Sequence, residues 1–92
     1  MKTIWKYILK TTDRQGINMP LESEILSVGV QTGTVCLWVL VDPEQKKELL
    51  HEFEIFGTGN PVYSNEKSKR KFIGTYQLMD GNFIGHVFER LK

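Results

Sequence analysis

The chain has 92 residues, of which 40% are hydrophobic and 25% are charged, and its formal net charge is +1. This length fits one domain, residues 1–92, and the composition is too apolar for a disordered chain. The near-neutral charge argues against nucleic acid as a partner. The single cysteine, Cys36, excludes an intrachain disulfide, which is typical of a reducing, cytoplasmic setting.

The N-terminal quarter has the periodicity of β-strands. Apolar and polar side chains alternate over residues 4–9, which predicts a first strand. Lys6 and Lys10 interrupt this apolar run, so we expect no secretory signal peptide. The segment Asp13-Arg14-Gln15-Gly16 is a turn signal, and a short strand over 17–19 follows it.

The clearest hairpin lies in the middle of the chain. Residues 25–30 and 34–41 are predicted strands, and Gln31-Thr32-Gly33 connects them tightly. The second strand is apolar on both of its faces between Val35 and Val41. Such a run is typical of a strand buried on both sides, so we expect it to be central in its sheet.

The second half adds strands and one ambiguous segment. Residues 44–51 are compatible with a short helical turn, whereas the alternation further on indicates a strand. A long loop, rich in glycine, serine and charge, is predicted over 57–71. The predicted strands are 49–56, 72–78 and 83–89, the last two forming a hairpin around residues 80–82.

These elements predict an all-β fold. Six to seven short strands with frequent turn signals are typical of a small antiparallel barrel or sandwich, with at most one short helical turn. The longest apolar run is too short to span a bilayer, so we expect no membrane partner.

The chain offers few catalytic groups. Cys36 lies in the most apolar segment, where a thiol is usually inert, and His51 and His86 are far apart in the sequence. Glu52 and Glu54 fit a solvated strand face better than an acid/base pair. We therefore expect no enzymatic activity, no metal site and no cofactor.

The loop after residue 56 is the most interesting candidate site. Two glycines flanking a threonine allow backbone N–H groups to converge on an anion, and a basic run, Lys67 to Lys71, follows. The alternatives are an ordinary glycine turn at a strand end and a solvated charge run. The candidate ligand-binding residues are Gly57, Thr58, Gly59, Asn60, Tyr63, Lys69, Arg70 and Lys71.

Six short motifs resemble a family of short, uncharacterised proteins encoded by tailed phages and prophages. The resemblance covers nearly the whole chain and implies a phage accessory protein acting in the host-cell cytoplasm. The motifs are Trp5-Lys6-Tyr7, Cys36-Leu37-Trp38, Val41-Asp42-Pro43, the segment Phe53 to Gly59, Ile73-Gly74-Thr75 and His86-Val87-Phe88-Glu89.

Two functions from different classes are in accord with these observations. The first is a non-enzymatic protein that binds a small anionic ligand at a subunit interface of a homo-oligomer. In the phage context such a protein would sequester a host immune signalling nucleotide. The alternative is a protein–protein interaction module that binds and inhibits a host protein through exposed strand edges.

Overall fold

A computed structural model describes residues 1–63 and 69–91. In these residues the secondary structure consists of seven strands and one 3₁₀ turn, Met79–Gly81. The strands are β1 (Thr3–Ile8), β2 (Arg14–Pro20), β3 (Glu24–Gln31), β4 (Thr34–Val41), β5 (Glu48–Gly57), β6 (Lys69–Leu78) and β7 (Phe83–Leu91).

The strands form two antiparallel sheets that pack as a sandwich. One sheet has three strands in the order β1-β4-β3, and the other has four in the order β2-β5-β7-β6. The predicted all-β class is therefore confirmed, and of the two architectures left open, the sandwich is the one observed. The Cα atoms extend over 41 × 37 × 16 Å, so the molecule is a thin plate with two broad faces.

β4 occupies the centre of its sheet, as its sequence predicts. Val35, Leu37, Val39 and Val41 alternate along the strand and are buried between the sheets. The prediction that β4 is buried on both sides is only partly right. The opposite face belongs to a sheet with no second layer of described residues over it, and Trp38 on that face is half-buried.

The four-stranded sheet supplies the other half of the core. Phe53 and Ile55 of β5 and Val87 of β7 are buried against the three-stranded sheet. Tyr76 of β6 lies against Gly85 of β7, where an added Cβ would come within 2.5 Å of the ring. Only a glycine permits this ring position, because any side chain would occupy the same space.

Both predicted hairpins form. Thr32 and Gly33 have φ angles of 51° and 77°, the positive values that a tight type I′ turn requires between β3 and β4. The turn between β6 and β7 is the 3₁₀ turn, in which Asp80 and Gly81 also have positive φ. Among the described residues this turn is the one short helical element, and it lies far from the predicted position.

Several predicted boundaries are wrong. Arg14 to Gly16 belong to β2 rather than to a turn, because they pair with Glu54 to Glu52 of β5. No helical turn forms over residues 44–51; the chain bends there and enters β5 at Glu48. Lys69 to Lys71 belong to β6, not to a loop, because they pair with β7.

The sheets meet closely along one edge, where β3 contacts β6. Both strands carry a β-bulge there, between Ile25 and Ser27 in β3 and between Phe72 and Gly74 in β6. Bulges bend a strand and increase its twist. At the contact, a Cβ on Gly74 would lie 2.7 Å from Val28 Cγ1.

Candidate functional site

The turn that follows β5 gives the candidate site its polar edge. The Asn60 N–H donates to the Gly57 carbonyl at 3.1 Å, which closes a four-residue turn. Gly59 has a φ angle of 88°, a conformation that glycine adopts at low cost. Because the Asn60 amide is engaged inside the turn, it is not available to an anion in this conformation.

His86 of β7 lies beside this turn on the outer face of the four-stranded sheet. Its Nε2 is 2.8 Å from Thr58 Oγ1, and its Nδ1 is 3.0 Å from Thr75 Oγ1. A hydroxyl donates or accepts as required, so either neutral tautomer satisfies both contacts. The two threonines therefore fix the orientation of the His86 ring.

Three phenylalanines form an aromatic surface next to His86. Phe88 packs edge-to-face against Phe56, with ring centroids 5.8 Å apart, and against Phe72, with centroids 5.3 Å apart. Strand alternation and register place all three on the outer face, since Phe72 pairs with Phe88 and Phe56 pairs with His86. Phe72 is 54% exposed, so its ring is open to a ligand.

These groups enclose a shallow pocket of about 250 Å³, which we call the His86 pocket. Two neighbouring depressions of about 320 and 130 Å³ share Gly57 and Asn60 with it. The turn therefore lies where three concave surfaces meet. The residues that line the His86 pocket are Phe56, Gly57, Thr58, Gly59, Asn60, Val62, Phe72, His86 and Phe88.

A charged cluster borders the aromatic surface. The Glu54 carboxylate accepts from Arg70 Nε at 2.7 Å and from Arg90 Nη1 at 3.3 Å. The Arg70 guanidinium carbon also lies 5.6 Å from the centroid of the Phe56 ring, within cation–π range. Two arginines against one carboxylate leave a net positive charge beside the pocket.

The pKa of Glu54 records the balance of these contacts. Burial by itself would raise the pKa of its carboxyl. The hydrogen bond from Arg70 and the charges of Arg70 and Arg90 outweigh burial, so the pKa lies below the usual value for glutamate. Glu54 is therefore ionised at neutral pH and partly neutralises the arginines.

The predicted site residues divide into two groups. Gly57, Thr58, Gly59 and Asn60 lie together in the His86 pocket. The other four do not line it: Tyr63 is 80% exposed beyond its rim, and the basic residues are Lys69, Arg70 and Lys71 of β6.

The predicted basic loop is therefore largely a strand in the described residues. Arg70 is held by Glu54, while Lys69 and Lys71 are exposed. Lys67 and Ser68, which were part of the same prediction, lie outside the described residues.

Sequence reasoning missed the other half of the pocket. The sequence presents His86 only as one of two histidines far apart in the chain, and none of the phenylalanines is among the candidate ligand-binding residues. Alternation along β7 does place His86 and Phe88 on one face. The cross-strand register that brings Phe56 and Phe72 beside them follows from long-range pairing, for which the sequence carries no direct signal.

The remaining titratable candidates lie away from this pocket. His51 Nδ1 contacts Glu89 Oε2 at 2.6 Å, with only 12% and 14% of the two side chains exposed. Burial raises the pKa of Tyr7, and the negative charge of Glu48 adds to the effect. Cys36 is buried. Over residues 1–63 and 69–91, His, Cys, Asp and Glu form no cluster of three or more that would hold a metal ion.

Within the described part of the chain, no helix has the length and apolar character needed to cross a membrane.

Comparison with curated proteins and with solved structures found no match. A family model does match the chain over all of residues 1–92. The chain belongs to the family described as a domain of unknown function (DUF7352).

Proposed function

We propose that the protein is a non-enzymatic binding module that takes a small anionic ligand with a flat ring in the His86 pocket. The observation that carries the proposal is the convergence of an aromatic surface, the Gly57–Asn60 turn and His86 on one concave site. Flat rings stack favourably on exposed aromatic side chains, by about 1–3 kcal/mol for a nucleobase.

The size of the pocket supports one ring rather than a larger molecule. Its volume of about 250 Å³ lies below the usual range for drug-sized ligands, roughly 300–1,000 Å³. The anionic part of a nucleotide would therefore extend out of the pocket. The excess positive charge of Arg70 and Arg90 over Glu54 supports an anion in that position.

The engagement of the histidines favours binding over catalysis. Both ring nitrogens of His86 contact threonine hydroxyls, and His51 Nδ1 contacts Glu89. His86 contacts the Thr58 hydroxyl, but its other ring nitrogen contacts Thr75 Oγ1 and not the carboxylate that orients the imidazole of a catalytic triad, and the thiol of Cys36 is buried.

The resemblance to phage-encoded proteins supports a biological setting for this binding. A phage accessory protein in the host cytoplasm would act by sequestering a nucleotide used in host immune signalling. The proposed pocket and this setting are separable, since the pocket is testable with purified protein alone.

Calorimetry against a panel of cyclic and linear nucleotides tests the ligand class.

We expect Phe72→Ala to weaken binding about 10- to 100-fold, because it removes the exposed stacking ring. Thr58→Val removes the hydroxyl that lines the pocket and should also weaken binding. Leu50→Ala is the control and should leave binding unchanged, because Leu50 is 45% exposed on the same face of the four-stranded sheet and does not line the pocket. No binding of any nucleotide at high micromolar concentration would overturn the proposal.

A second function, inhibition of a host protein, is favoured by the exposed apolar side chains around the pocket. Val62, Tyr63 and Phe72 are 47%, 80% and 54% exposed. Aromatic residues are enriched at protein interfaces. Capture of one host protein from lysate by the wild-type chain, lost in Phe72→Ala without any nucleotide binding, would favour this second function.

A further inference from the structure

His86 is held in a way that tolerates a change of its charge. Of the described residues that line the His86 pocket, it alone is ionisable. Its half-buried ring contacts Thr58 Oγ1 at 2.8 Å through Nε2 and Thr75 Oγ1 at 3.0 Å through Nδ1. A hydroxyl oxygen accepts a hydrogen bond as readily as the hydroxyl donates one. Both contacts therefore survive when the ring gains a proton, because each ring N–H then donates to a threonine oxygen.

Protonation of His86 also changes what Thr58 offers to the pocket. When a neutral ring carries its proton on Nδ1, the Thr58 hydroxyl must donate to Nε2, so its hydrogen is used by the ring. The other neutral tautomer frees this hydrogen but brings no charge. In the imidazolium form the Thr58 oxygen accepts from Nε2, and its hydrogen is free to donate into the pocket. The proton thus brings a positive charge together with a hydrogen-bond donor, both of which suit an anion.

Among the described residues, no carboxylate contacts His86 to balance a positive charge. Phe56 of β5 and Thr75 of β6 stand opposite it by register. The nearest carboxylate by register, that of Glu54, lies opposite Phe88 and already has two arginine partners. A proton on His86 therefore lacks a counter-ion until an anion enters the pocket.

The remaining ionisable groups on β5, β6, β7 and the turn between β6 and β7 are paired elsewhere, distant or on the inner face of the sheet. They are Glu48 at the start of β5, Glu52 in its pair with Arg14, Asp80 exposed in the turn, and, on the inner face by register, Lys69, Lys71, Tyr76 and the His51–Glu89 pair. The charge beside the pocket is therefore set by Glu54 and its two arginines, and it is positive.

We propose that the His86 pocket takes up a proton together with its anionic ligand, so that its affinity for the anion rises as the pH falls. This inference rests on the proposed function, because it requires an anion in the pocket. An imidazole ordinarily changes its charge between about pH 5 and 8. Arg70 and Arg90 stay charged throughout that range, so they contribute a constant attraction and His86 supplies the variable one.

The probe for this proposal has to keep its own charge while the pH changes. A phosphomonoester loses a proton near about pH 6, so the test uses the four 3′,5′-cyclic mononucleotides, whose phosphodiester carries one negative charge throughout. Calorimetry should give a dissociation constant about 10-fold lower at about pH 5.5 than at about pH 8. Near the middle of this range, titrations in two buffers of different ionisation enthalpy should show that binding takes up a fraction of a proton.

Two histidine variants assign the effect. His86→Gln should bind at both pH values with the affinity that the wild type has at the higher one, because an amide carries no charge. His51→Gln is the matched control, since it removes the only other histidine, which lies on the inner face, and should keep the wild-type pH dependence. Circular dichroism at each pH verifies folding, and the wild type and His86→Gln decide the proposal without the control.

Three results would overturn proton uptake by His86. Equal wild-type affinities at both pH values, or an unchanged pH dependence in His86→Gln, would do so while leaving the proposed function in place. Absence of binding by all four cyclic mononucleotides at both pH values would do so as well, and the linear nucleotides of the larger panel would then decide the proposed function separately.

Discussion

Glu54 shows how one residue links the stability of the sheet to the charge beside the pocket. Only 12% of its side chain is exposed, and two arginines from β6 and β7 contact it. Glu52, two residues earlier on the same face, pairs with Arg14 at 3.0 Å, but both side chains are much more exposed, at 37% and 52%. The two glutamates thus have similar chemistry and different burial.

Glu54→Gln should lower the free energy of unfolding by about 1–3 kcal/mol at neutral pH, because Arg70 loses its ionic partner in a partly buried setting. The folded-state pKa of Glu54 lies below its unfolded value, so its contribution is complete above about 4.5 and is lost as the pH falls through the folded-state pKa. Urea unfolding of both proteins across acidic pH measures this, and the two stabilities should converge at low pH.

Glu52→Gln provides the control for that experiment. An exposed pair contributes little, so this variant should lose less than about 1 kcal/mol. Equal losses in the two variants, or a difference between wild type and Glu54→Gln that does not change with pH, would contradict the account of Glu54.

At the scale of elements, the contact between β3 and β6 joins the two sheets at one edge. Gly74 lies at the bulge of β6, where its missing side chain leaves room for Val28 of β3. The core tolerates little additional volume at such a contact, because protein interiors are close-packed.

Gly74→Ala should destabilise the protein by about 1–3 kcal/mol, because its Cβ would lie 2.7 Å from Val28 Cγ1. Combining it with Val28→Ala should recover part of that loss, since the smaller side chain frees the space. Denaturant unfolding of the two single variants and the double variant measures the coupling. Strictly additive losses would show that the close approach is not the cause.

The elements also show what sequence patterns can and cannot predict. Alternation identified the strands around Phe53 and Val87, and the Thr32-Gly33 turn fixed the register of β3 on β4. The sequence predicts a loop for the basic run that ends at Lys71. Long charged side chains can lie on the surface of a strand without producing the apolar–polar alternation by which a strand is recognised. The His86 pocket was only half predicted, since the pairing of β7 with β5 and β6 depends on contacts distant in sequence.

At the scale of the whole molecule, the interior strands and the edge strands of the two sheets should differ in their protection against hydrogen exchange. β4 is flanked on both sides in its sheet, as are β5 and β7, whereas β1 and β2 each have one free edge within the described sheets. Opening an edge strand exposes less buried surface than opening an interior one, so it requires less free energy.

Native-state hydrogen exchange should therefore show two classes of amide. Those of β4, β5 and β7 should exchange only through global unfolding, with a common free energy. Those of β1 and β2 should exchange through local openings of lower free energy that depend weakly on denaturant. Protection in β1 equal to that in β4 would contradict this prediction.

The thin-plate shape determines how a ligand can be held. Two stacked sheets about 10 Å apart take up most of the 16 Å thickness of the plate, so the His86 pocket is a depression in one broad face. A ligand bound there would be covered on one side only. Its other side would stay open to solvent, so we expect it to exchange rapidly rather than to be retained.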